Sequence, residues 1–391
     1  MRNFVHSLKV YCTIAIFCFP LICFGVETKD LPADRVVRAA LDIGSGATKL
    51  RVAVVNLKTN KIEKILANES YTTNYQEELE KARDGAFDEK IMQIGLDALK
   101  KSKAEAMRYG ATNVVAVATA SFRKATNADA FIDRIYKETG IKVHVIDQNL
   151  EGILAFEAVS SNVDSHPENL LVWDIGGGSF QFTTLDEKGE LTVYRGVDAS
   201  VPFKNHIIKY IKLQDLSQVQ TPNPLTMYEI QQSEIYSRAI SQKVDKLFKD
   251  KIRDPNTHIL GVGNIFAYGI KPLTGGKDRF TAEELRDRIL ELANKTDNHL
   301  GGGDYVNVSV TNPILVLGFM QTLGIKEMDI LDINNADGAI LYPAFWENKP
   351  AMQQESVPEK QHEMVPQEPQ RQIESTPQTE SPAACHCTCA S

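Results

Sequence analysis

One glycine-containing pattern occurs twice in this chain of 391 residues, at two widely separated places. The first copy reads ALDIGSGATKLRVAVVN around Asp42, and the second reads VWDIGGGSFQFTTLD around Asp174. In each copy an apolar run ends at an aspartate, a turn of small residues follows, and a second apolar run leads away. Such a repeat predicts two similar domains that each contain this β-hairpin near their start. We expect the two domains to face each other across a cleft, with both turns pointing into it.

The apolar alternation extends the first copy into a three-stranded antiparallel meander with strands at 37–43, 48–56 and 60–67. Further elements follow in chain order: a helix from Phe87 to Arg108 that buries Phe87, Ile91, Ile94 and Ala98, a strand at 113–119, a helix at 127–138, a strand at 141–146 and a helix starting near Asn149. This order predicts an α/β fold.

The domain boundaries follow from the repeat and from this order of elements. We expect a linker at 26–37, a first domain over 38–147 and a second domain over 148–330. The closing segment 331–348 contains Gly338, Ala339 and Ile340, small or apolar residues that allow close helix packing, and we assign no chemistry to it.

Both ends of the chain differ in composition from its body. Residues 1–25 run from basic through apolar to small residues, which is typical of a cleaved secretory signal peptide and predicts a periplasmic or secreted protein. The alternative is an uncleaved N-terminal membrane anchor, and no membrane span is expected after cleavage. Residues 349–391 have few large apolar side chains and predict a disordered tail. All six cysteines lie in these two ends, so we expect no disulfide in the body.

The charge balance restricts the partners. The formal net charge is −8, which argues against a nucleic-acid surface, since that requires a basic stripe. A polyanionic substrate would instead meet a local pocket in which metal ions supply positive charge.

The two turns could hold phosphate. Gly44, Ser45, Gly46 and Ala47 in one copy, and Gly176, Gly177, Gly178 and Ser179 in the other, have no bulky side chains, so backbone amides can approach an anion closely. Glycines that only satisfy a positive φ in tight hairpins are the alternative. Two copies in the same context favour the phosphate site.

The aspartates that precede the turns suggest a metal. Asp42 and Asp174 would repel a nearby phosphate unless a cation lay between them, and Mg²⁺ typically takes only one or two carboxylates. We therefore predict Mg²⁺ or another divalent cation at these residues. The alternative is that either aspartate caps its own turn.

Three stretches resemble successive motifs of the Ppx/GppA phosphatases, the exopolyphosphatase and guanosine pentaphosphate phosphohydrolase family. They read LDIGSGATKLRVAVVN, ATASFRKATNADAFIDRIYKETGIKVHVIDQNLEGILAFEAV and DIGGGSFQFT, and the resemblance extends from about residue 38 to 345. Glycine-rich DIG hairpins alone would also fit sugar kinases, chaperone ATPases and actin. The ATASFR block followed by QNLEG makes the resemblance specific.

The resemblance implies a fold and a set of roles. The fold would be two ribonuclease H-like domains of the actin-like ATPase type, and a homodimer is common in the family. The closing segment 331–348 resembles the family's final segment, which implies that its helix packs near the hinge. Glu151 would be the catalytic carboxylate, Asp174 with Asp42 would serve metal and water, and Arg123 would clamp phosphate. These residue types suit phosphoryl transfer, which needs an aligned water, a carboxylate and positive charge on the phosphoryl oxygens.

The chain departs from the family pattern at three places. Gly46 and Ala47 stand where Asn and Ser or Thr are usual, and Phe180 and Gln181 stand where Thr and Glu are usual. A third glycine motif, LGVGNIFAYGI at 260–270, has Asn264 and Ile265 in place of a Gly-Thr pair. Metal dependence, rate and preferred substrate would respond to these changes.

The expected function is release of terminal orthophosphate from inorganic polyphosphate, because an exported enzyme would seldom meet an intracellular alarmone. One alternative is an exported phosphohydrolase of nucleoside triphosphates or guanosine pentaphosphate, with a base pocket near 261–265. The other is a catalytically weak polyphosphate-binding protein.

Overall fold

Two β-sheets organise residues 31–347, the part of the chain that the computed structural model describes. The predicted signal peptide at 1–25 and the predicted tail at 349–391 lie outside the described residues. The same holds for all six cysteines and for residues 26–30 of the predicted linker at 26–37.

The first sheet has five strands in the order β3-β2-β1-β4-β5. They are β1 (Arg35–Ile43), β2 (Ala47–Asn56), β3 (Lys61–Thr72), β4 (Val114–Ala118) and β5 (Lys142–Val145). The first three strands form an antiparallel meander, and β4 and β5 extend the sheet in parallel to β1. The predicted meander is confirmed, although β3 continues to Thr72, beyond the predicted end at residue 67.

Four helices cover this sheet: α1 (Tyr75–Lys81), α2 (Glu89–Arg108), α3 (Ala120–Lys124) and α4 (Ala128–Thr139). Helix α2 begins where the Asp88 carboxylate accepts the amide of Ile91 at 2.8 Å, a side-chain cap that satisfies one free donor of the first turn. The predicted position of Ile94 on the buried face is wrong, because this side chain is 39% exposed. Gly95 lies on that face instead, where a Cβ would come within 1.9 Å of the Tyr75 hydroxyl oxygen.

The second sheet has six strands in the order β10-β11-β9-β6-β7-β8. They are β6 (Leu170–Ile175), β7 (Phe180–Leu185), β8 (Leu191–Gly196), β9 (His258–Val262), β10 (Arg279–Thr281) and β11 (Glu327–Leu331). Strands β6, β7 and β8 form the second antiparallel meander, and β9 and β11 run parallel to β6. Apart from the antiparallel edge strand β10, this order repeats that of the first sheet, so the predicted α/β fold with two similar halves is confirmed.

Eight further helices belong to the described residues. They are α5 (Gln148–Ser160), α6 (Ser200–His206), α7 (Met227–Ser241), α8 (Lys246–Arg253), α9 (Lys271–Leu273), α10 (Ala282–Glu291), α11 (Thr311–Leu323) and α12 (Asn335–Leu341). The core of the second half centres on Trp173, which packs against Phe182, Phe266 and Phe319 with ring centroids 4.8 to 5.4 Å apart.

Two helices connect the halves. Helix α5 packs on the second sheet, and α12 returns to pack on the first sheet and on α5 itself. A Cβ on Gly338 of α12 would lie 2.2 Å from the Leu154 carbonyl oxygen, so glycine is what allows α12 and α5 to pack this closely. The role of this closing segment near a hinge stays a prediction. The two halves form one compact unit up to Trp346, and the domain boundary at 147–148 stays a prediction.

One segment of residues 31–347, Val306–Leu323, is long and apolar enough to cross a membrane by length and composition alone. The expectation of no further membrane span stays a prediction. The segment is 72% buried inside the fold, where it includes the core helix α11.

Candidate active site

A cleft of about 780 Å³ lies where the carboxyl ends of β1 and β6 approach each other. Most of the residues predicted for the site line this cleft: Asp42, Gly44, Ser45, Gly46, Glu151, Asp174, Gly176, Gly177, Gly178 and Ser179. The two strand ends meet because β1 and β6 occupy the same position in two sheets of the same topology. Arg123 is the one predicted site residue that does not line the cleft.

The two turns are built in the same way. The amide of Gly44 donates to the carbonyl of Ala47 at 2.9 Å, and the amide of Gly176 donates to the carbonyl of Ser179 at 2.9 Å. Within residues 31–347, the amides of the next two residues in each turn have no hydrogen-bond acceptor. They are those of Ser45, Gly46, Gly177 and Gly178, and they are the donors that remain for an anion.

The glycines of the turns are explained by close approach and not by backbone angle. None of the five turn glycines has a positive φ, which excludes the alternative that they only relieve a strained hairpin. A Cβ on Gly177 would lie 2.9 Å from the Cβ of Ser45, and a Cβ on Gly178 would lie 2.6 Å from Gln76 Oε1. The two turns therefore contact each other across the cleft, and only residues without a side chain permit this.

Glu151 lies in the first turn of α5, buried and held by Arg123. The Arg123 Nη1 donates to Glu151 Oε2 at 2.8 Å and to the Ile146 carbonyl at 2.7 Å, and its Nη2 donates to Ser179 Oγ at 3.1 Å. Arg123 thus links α3, the start of α5 and the second turn. Its guanidinium is engaged with the carboxylate and does not line the space in which phosphate would bind.

The proton affinity of Glu151 is unusually high. Burial raises the pKa of Glu151 to about 8; the charge of Arg123 opposes this rise, and the charges of Asp174 and Asp42 add to it. A carboxylate whose pKa lies near neutral pH can accept a proton from water and release it again.

A cation from the chain itself contacts Asp42 and acts electrostatically on Asp174. Lys49 Nζ donates to Asp42 Oδ2 at 3.1 Å, and its charge also acts on Asp174. Although burial acts to lower the pKa of Lys49, the charges of Asp42 and Asp174 outweigh it and raise the pKa. Burial likewise raises the pKa of Asp174 to about 6, which Lys49 counteracts and Asp42 reinforces.

The residues present fit a magnesium ion. Around Asp174, three buried side-chain oxygens have no hydrogen-bond partner among the described residues: Asp42 Oδ1, Gln181 Oε1 and Asn335 Oδ1. Gln181 is the cross-strand partner of Asp174, and Asn335 Nδ2 approaches Asp174 Oδ2 at 3.4 Å. Residues 31–347 contain no group of three or more His, Cys, Asp or Glu side chains arranged for a metal. Mg²⁺, which takes one or two carboxylates and completes its shell with neutral oxygens, water and phosphate, suits this set.

Sequence reasoning missed Lys49, Asn335 and Tyr305, all of which line the cleft. A signal for Lys49 was available, because the meander register places it directly opposite Asp42. No local pattern indicated Asn335 or Tyr305, since their place in the cleft depends on chain folding over long separations.

The third glycine motif also reaches the cleft. Gly263 has a φ of 88°, and a Cβ on it would lie 2.9 Å from Asp174 Oδ1, so this glycine is required on both counts. Asn264, Ile265 and Tyr268 follow it along the cleft wall.

Parts of the chain are similar in sequence to known proteins. Residues 54–194 match the model of the Ppx/GppA phosphatase family. The chain is 30% identical over 174 residues to a bifunctional 3-dehydroquinate synthase/phosphatase of Fusobacterium nucleatum, covering 42% of this chain and 25% of that protein. It is 31% identical over 109 residues to exopolyphosphatase 1 of Mycobacterium tuberculosis, covering 27% of this chain and 32% of that protein. The chain therefore spans about a quarter to a third of the length of these relatives.

Solved structures share the fold over most of the chain. A Ppx/GppA family member from Aquifex aeolicus aligns with a TM-score of 0.60 at 20% identity, over 81% of this chain and 100% of that one. An exopolyphosphatase from Cytophaga hutchinsonii aligns with a TM-score of 0.59 at 18% identity, over 78% of this chain and 98% of that one. The predicted architecture of two actin-like halves is thereby confirmed. Over residues 54–194 and in its fold, this chain is thus similar to the Ppx/GppA phosphatases.

Proposed function

We propose that this protein is a phosphoanhydride hydrolase that releases terminal orthophosphate from inorganic polyphosphate, with water as the acceptor. One observation carries the proposal: the buried Glu151 carboxylate, with a pKa raised to about 8, lies in a cleft between two turns that present free backbone amides. A proton acceptor beside an anion site is the arrangement that hydrolysis of a terminal phosphate requires.

Each group has a distinct task in this proposal. The free amides of both turns bind the terminal phosphoryl oxygens, and the ammonium of Lys49 neutralises part of their charge. Glu151 orients the attacking water and takes its proton, while Arg123 holds the carboxylate in place through the contact at 2.8 Å. Transfer to water would follow because the cleft binds phosphate and water on one line.

Asp42 and Asp174 would hold a divalent cation, with help from the oxygens of Gln181 and Asn335. When bound, such a cation neutralises charge on the phosphate and lowers the barrier to attack. Gln181 supplies a neutral amide oxygen where the family usually has a carboxylate, so we expect weaker metal binding than in relatives with glutamate there.

The choice of polyphosphate is supported by the mycobacterial relative, which is named an exopolyphosphatase. A nucleotide is the second candidate, and one observation favours it. The 57%-exposed ring of Tyr268 lies on the cleft wall next to Gly269, beside which there is open space that a base could enter.

Export is the remaining part of the proposal. It rests on the order of basic, apolar and small residues over 1–25. N-terminal sequencing of the protein recovered from a bacterial periplasm tests it: a first residue near Val26 supports export with cleavage, whereas an intact Met1 in the membrane fraction indicates a retained anchor. Sedimentation of the same sample tests the expected homodimer.

The activity is tested by orthophosphate release from long-chain polyphosphate and from nucleoside triphosphates, with and without Mg²⁺. The matched control is Glu151→Gln, which keeps the shape of the side chain and removes the proton acceptor. Metal-dependent release from polyphosphate that Glu151→Gln lowers by roughly 10²- to 10⁴-fold supports the proposal. Release from nucleotides alone would transfer it to the second candidate, and binding without any release would leave a polyphosphate-binding protein.

A further inference from the structure

A segment from the second half of the molecule crosses the cleft and contacts the first turn. It comprises residues 297–309, between α10 and α11, and we name it the strap. Gly301, Gly302 and Gly303 all have left-handed φ angles, of 92°, 66° and 93°. Residues other than glycine disfavour this conformation. The three consecutive glycines therefore allow the sharp bend of the strap.

The strap is anchored on its own half of the molecule. The Asp297 carboxylate accepts hydrogen bonds at 2.9 Å from Thr221 and from Asn223, and Asn223 also donates to the Val306 carbonyl at 2.9 Å. The amide of Gly302 closes back on the Asp297 carbonyl at 2.9 Å. Both ends of the strap are thus fixed, which limits where its tip can lie.

The tip of the strap reaches the first half of the molecule at two points. Tyr305 donates its hydroxyl to the Gly46 carbonyl at 3.1 Å, and Asn307 Nδ2 donates to Glu77 Oε1 at 3.1 Å. Tyr305 also lies near Lys49, and both line the cleft. The phenol therefore stands beside both the turn and the cation that we assign to phosphate binding.

Gly46 and Tyr305 are complementary in shape. A Cβ on Gly46 would lie 3.6 Å from Tyr305 Cε1, which is ordinary contact distance, so the ring covers the space next to this residue. The Gly46 carbonyl also accepts the amides of Thr73 and Asn74 at 3.0 Å each. The preceding carbonyl, of Ser45, accepts the amide of Gln76 at 2.9 Å, and in a trans peptide this directs the Gly46 amide to the opposite side.

We propose that Tyr305 is a positioning residue for the phosphate-binding turn 44–47: from the opposite half of the molecule it fixes the Gly46 carbonyl and covers the turn where no side chain does so. This rests on the proposed function. The strap is fixed on the second half of the molecule, so Tyr305 holds the first turn ready for phosphate before phosphate binds.

Tripolyphosphate is the probe, and Tyr305→Phe is the decisive variant because it keeps the ring and removes only the hydroxyl. In the Glu151→Gln background, which prevents turnover, calorimetry measures affinity alone. We expect Tyr305→Phe to weaken tripolyphosphate binding roughly two- to twelvefold, the effect of one neutral hydrogen bond, and Tyr305→Ala to weaken it more. Tyr136→Phe, an exposed tyrosine on α4, is the matched control and should bind normally.

A kinetic measurement separates positioning from a loss of folding. With Glu151 present, Tyr305→Phe should raise KM with little change in kcat, and its melting temperature should stay close to that of Tyr136→Phe. Gly46→Asn added to Tyr305→Ala should recover part of the lost affinity, since a side chain at 46 would take the place of the ring. Unchanged tripolyphosphate affinity in Tyr305→Phe, or a fall in kcat alone, would overturn the role of Tyr305.

The two proposals fail separately. If orthophosphate is released but the affinity for tripolyphosphate does not change in Tyr305→Phe, the role of Tyr305 is overturned and the hydrolase proposal stands. Tyr305-dependent binding without any release supports this inference and removes the hydrolase. If the unsubstituted protein neither binds tripolyphosphate nor releases orthophosphate from long-chain polyphosphate, both are overturned.

Discussion

The guanidinium of Arg123 lies 2.8 Å from Glu151 Oε2 and, through its second Nη atom, 3.1 Å from Ser179 Oγ. One side chain of the first half thus holds both the proposed proton acceptor and the second turn. Arginine suits this place because its planar fork can serve two acceptors at once. The finding adds the holding of the carboxylate to the expected task of Arg123, whose contact with phosphate stays a prediction.

Replacing Arg123 should therefore change the pH dependence of the reaction. The positive charge of Arg123 opposes the rise in the pKa of Glu151, so Arg123→Met should raise that pKa further and shift the acid limb of the profile of kcat/KM to higher pH. The profile between pH 6 and 10 measures this. Lys124→Met, which removes the neighbouring exposed cation, is the control and should leave the limb in place. An acid limb that does not move in Arg123→Met would show that the contact does not govern Glu151.

The stability of the metal-free protein should fall as the pH rises from about 4 to 8. Burial raises the pKa of Glu151 to about 8 and that of Asp174 to about 6, both above the ordinary values of 4.5 and 3.8. These two groups then bind more protons in the folded protein than in the unfolded chain across this range, and their contribution to stability decreases as the pH rises. Denaturant unfolding in chelator at several pH values measures the slope.

A substitution measures how much Glu151 contributes to the pH dependence of the free energy of unfolding. Glu151→Gln removes the titrating group and should flatten the dependence, most clearly between pH 5 and 8. Glu157→Gln, on the exposed face of the same helix, should leave the slope as it is. Equal slopes in the two variants would contradict the assigned proton affinity.

Gly178→Ala should separate the two turns. The added Cβ would lie 2.6 Å from Gln76 Oε1, 3.0 Å from Ser45 Oγ and 3.1 Å from the Cβ of Ala120, so the halves must shift apart. We expect a loss of roughly 1–3 kcal/mol in the free energy of unfolding, as for other overpacked sites, together with a strong loss of phosphate release. The comparison for stability is Gly269→Ala, where a Cβ meets nothing within 4 Å and no decrease is expected.

The buried pair of Arg51 and Asp337 should contribute more than surface ion pairs do. Arg51 Nη2 donates to Asp337 Oδ2 at 3.0 Å, and the Asp337 carboxylate also accepts the amide of Asn334 at 3.0 Å, which fixes the start of α12. Arg51→Met leaves a buried carboxylate without its cation, and we expect a cost of about 3–5 kcal/mol in unfolding free energy.

The control for that variant is Arg134→Met, which breaks an exposed network with Glu89 and Glu138. Its expected cost is about 0–1 kcal/mol, since solvent screens such pairs. Denaturant unfolding of both variants gives the difference directly, and equal costs would argue against a structural role of the buried pair.

Much of the site was visible in local sequence. The apolar runs that end at Asp42 and Asp174 predicted two hairpins at equivalent places, and the structure brings both turns to one cleft. The alternation of apolar and polar residues and the spacing of glycines depend only on neighbouring residues. They therefore predicted the strands and turns without knowledge of the tertiary structure. The departure at Gly46 was also visible, but not that Tyr305 covers it.

The sequence by itself determined the repeated hairpin, the α/β order and the two aspartates at strand ends, because each depends on neighbouring residues and on the period of a strand or helix. Only the tertiary structure decided that Arg123 contacts Glu151, that the charge of Lys49 acts on Asp174, and that Tyr305 donates to the Gly46 carbonyl. These contacts join segments that are far apart along the chain, so they exist only once two sheets have packed around shared helices and placed their ends together.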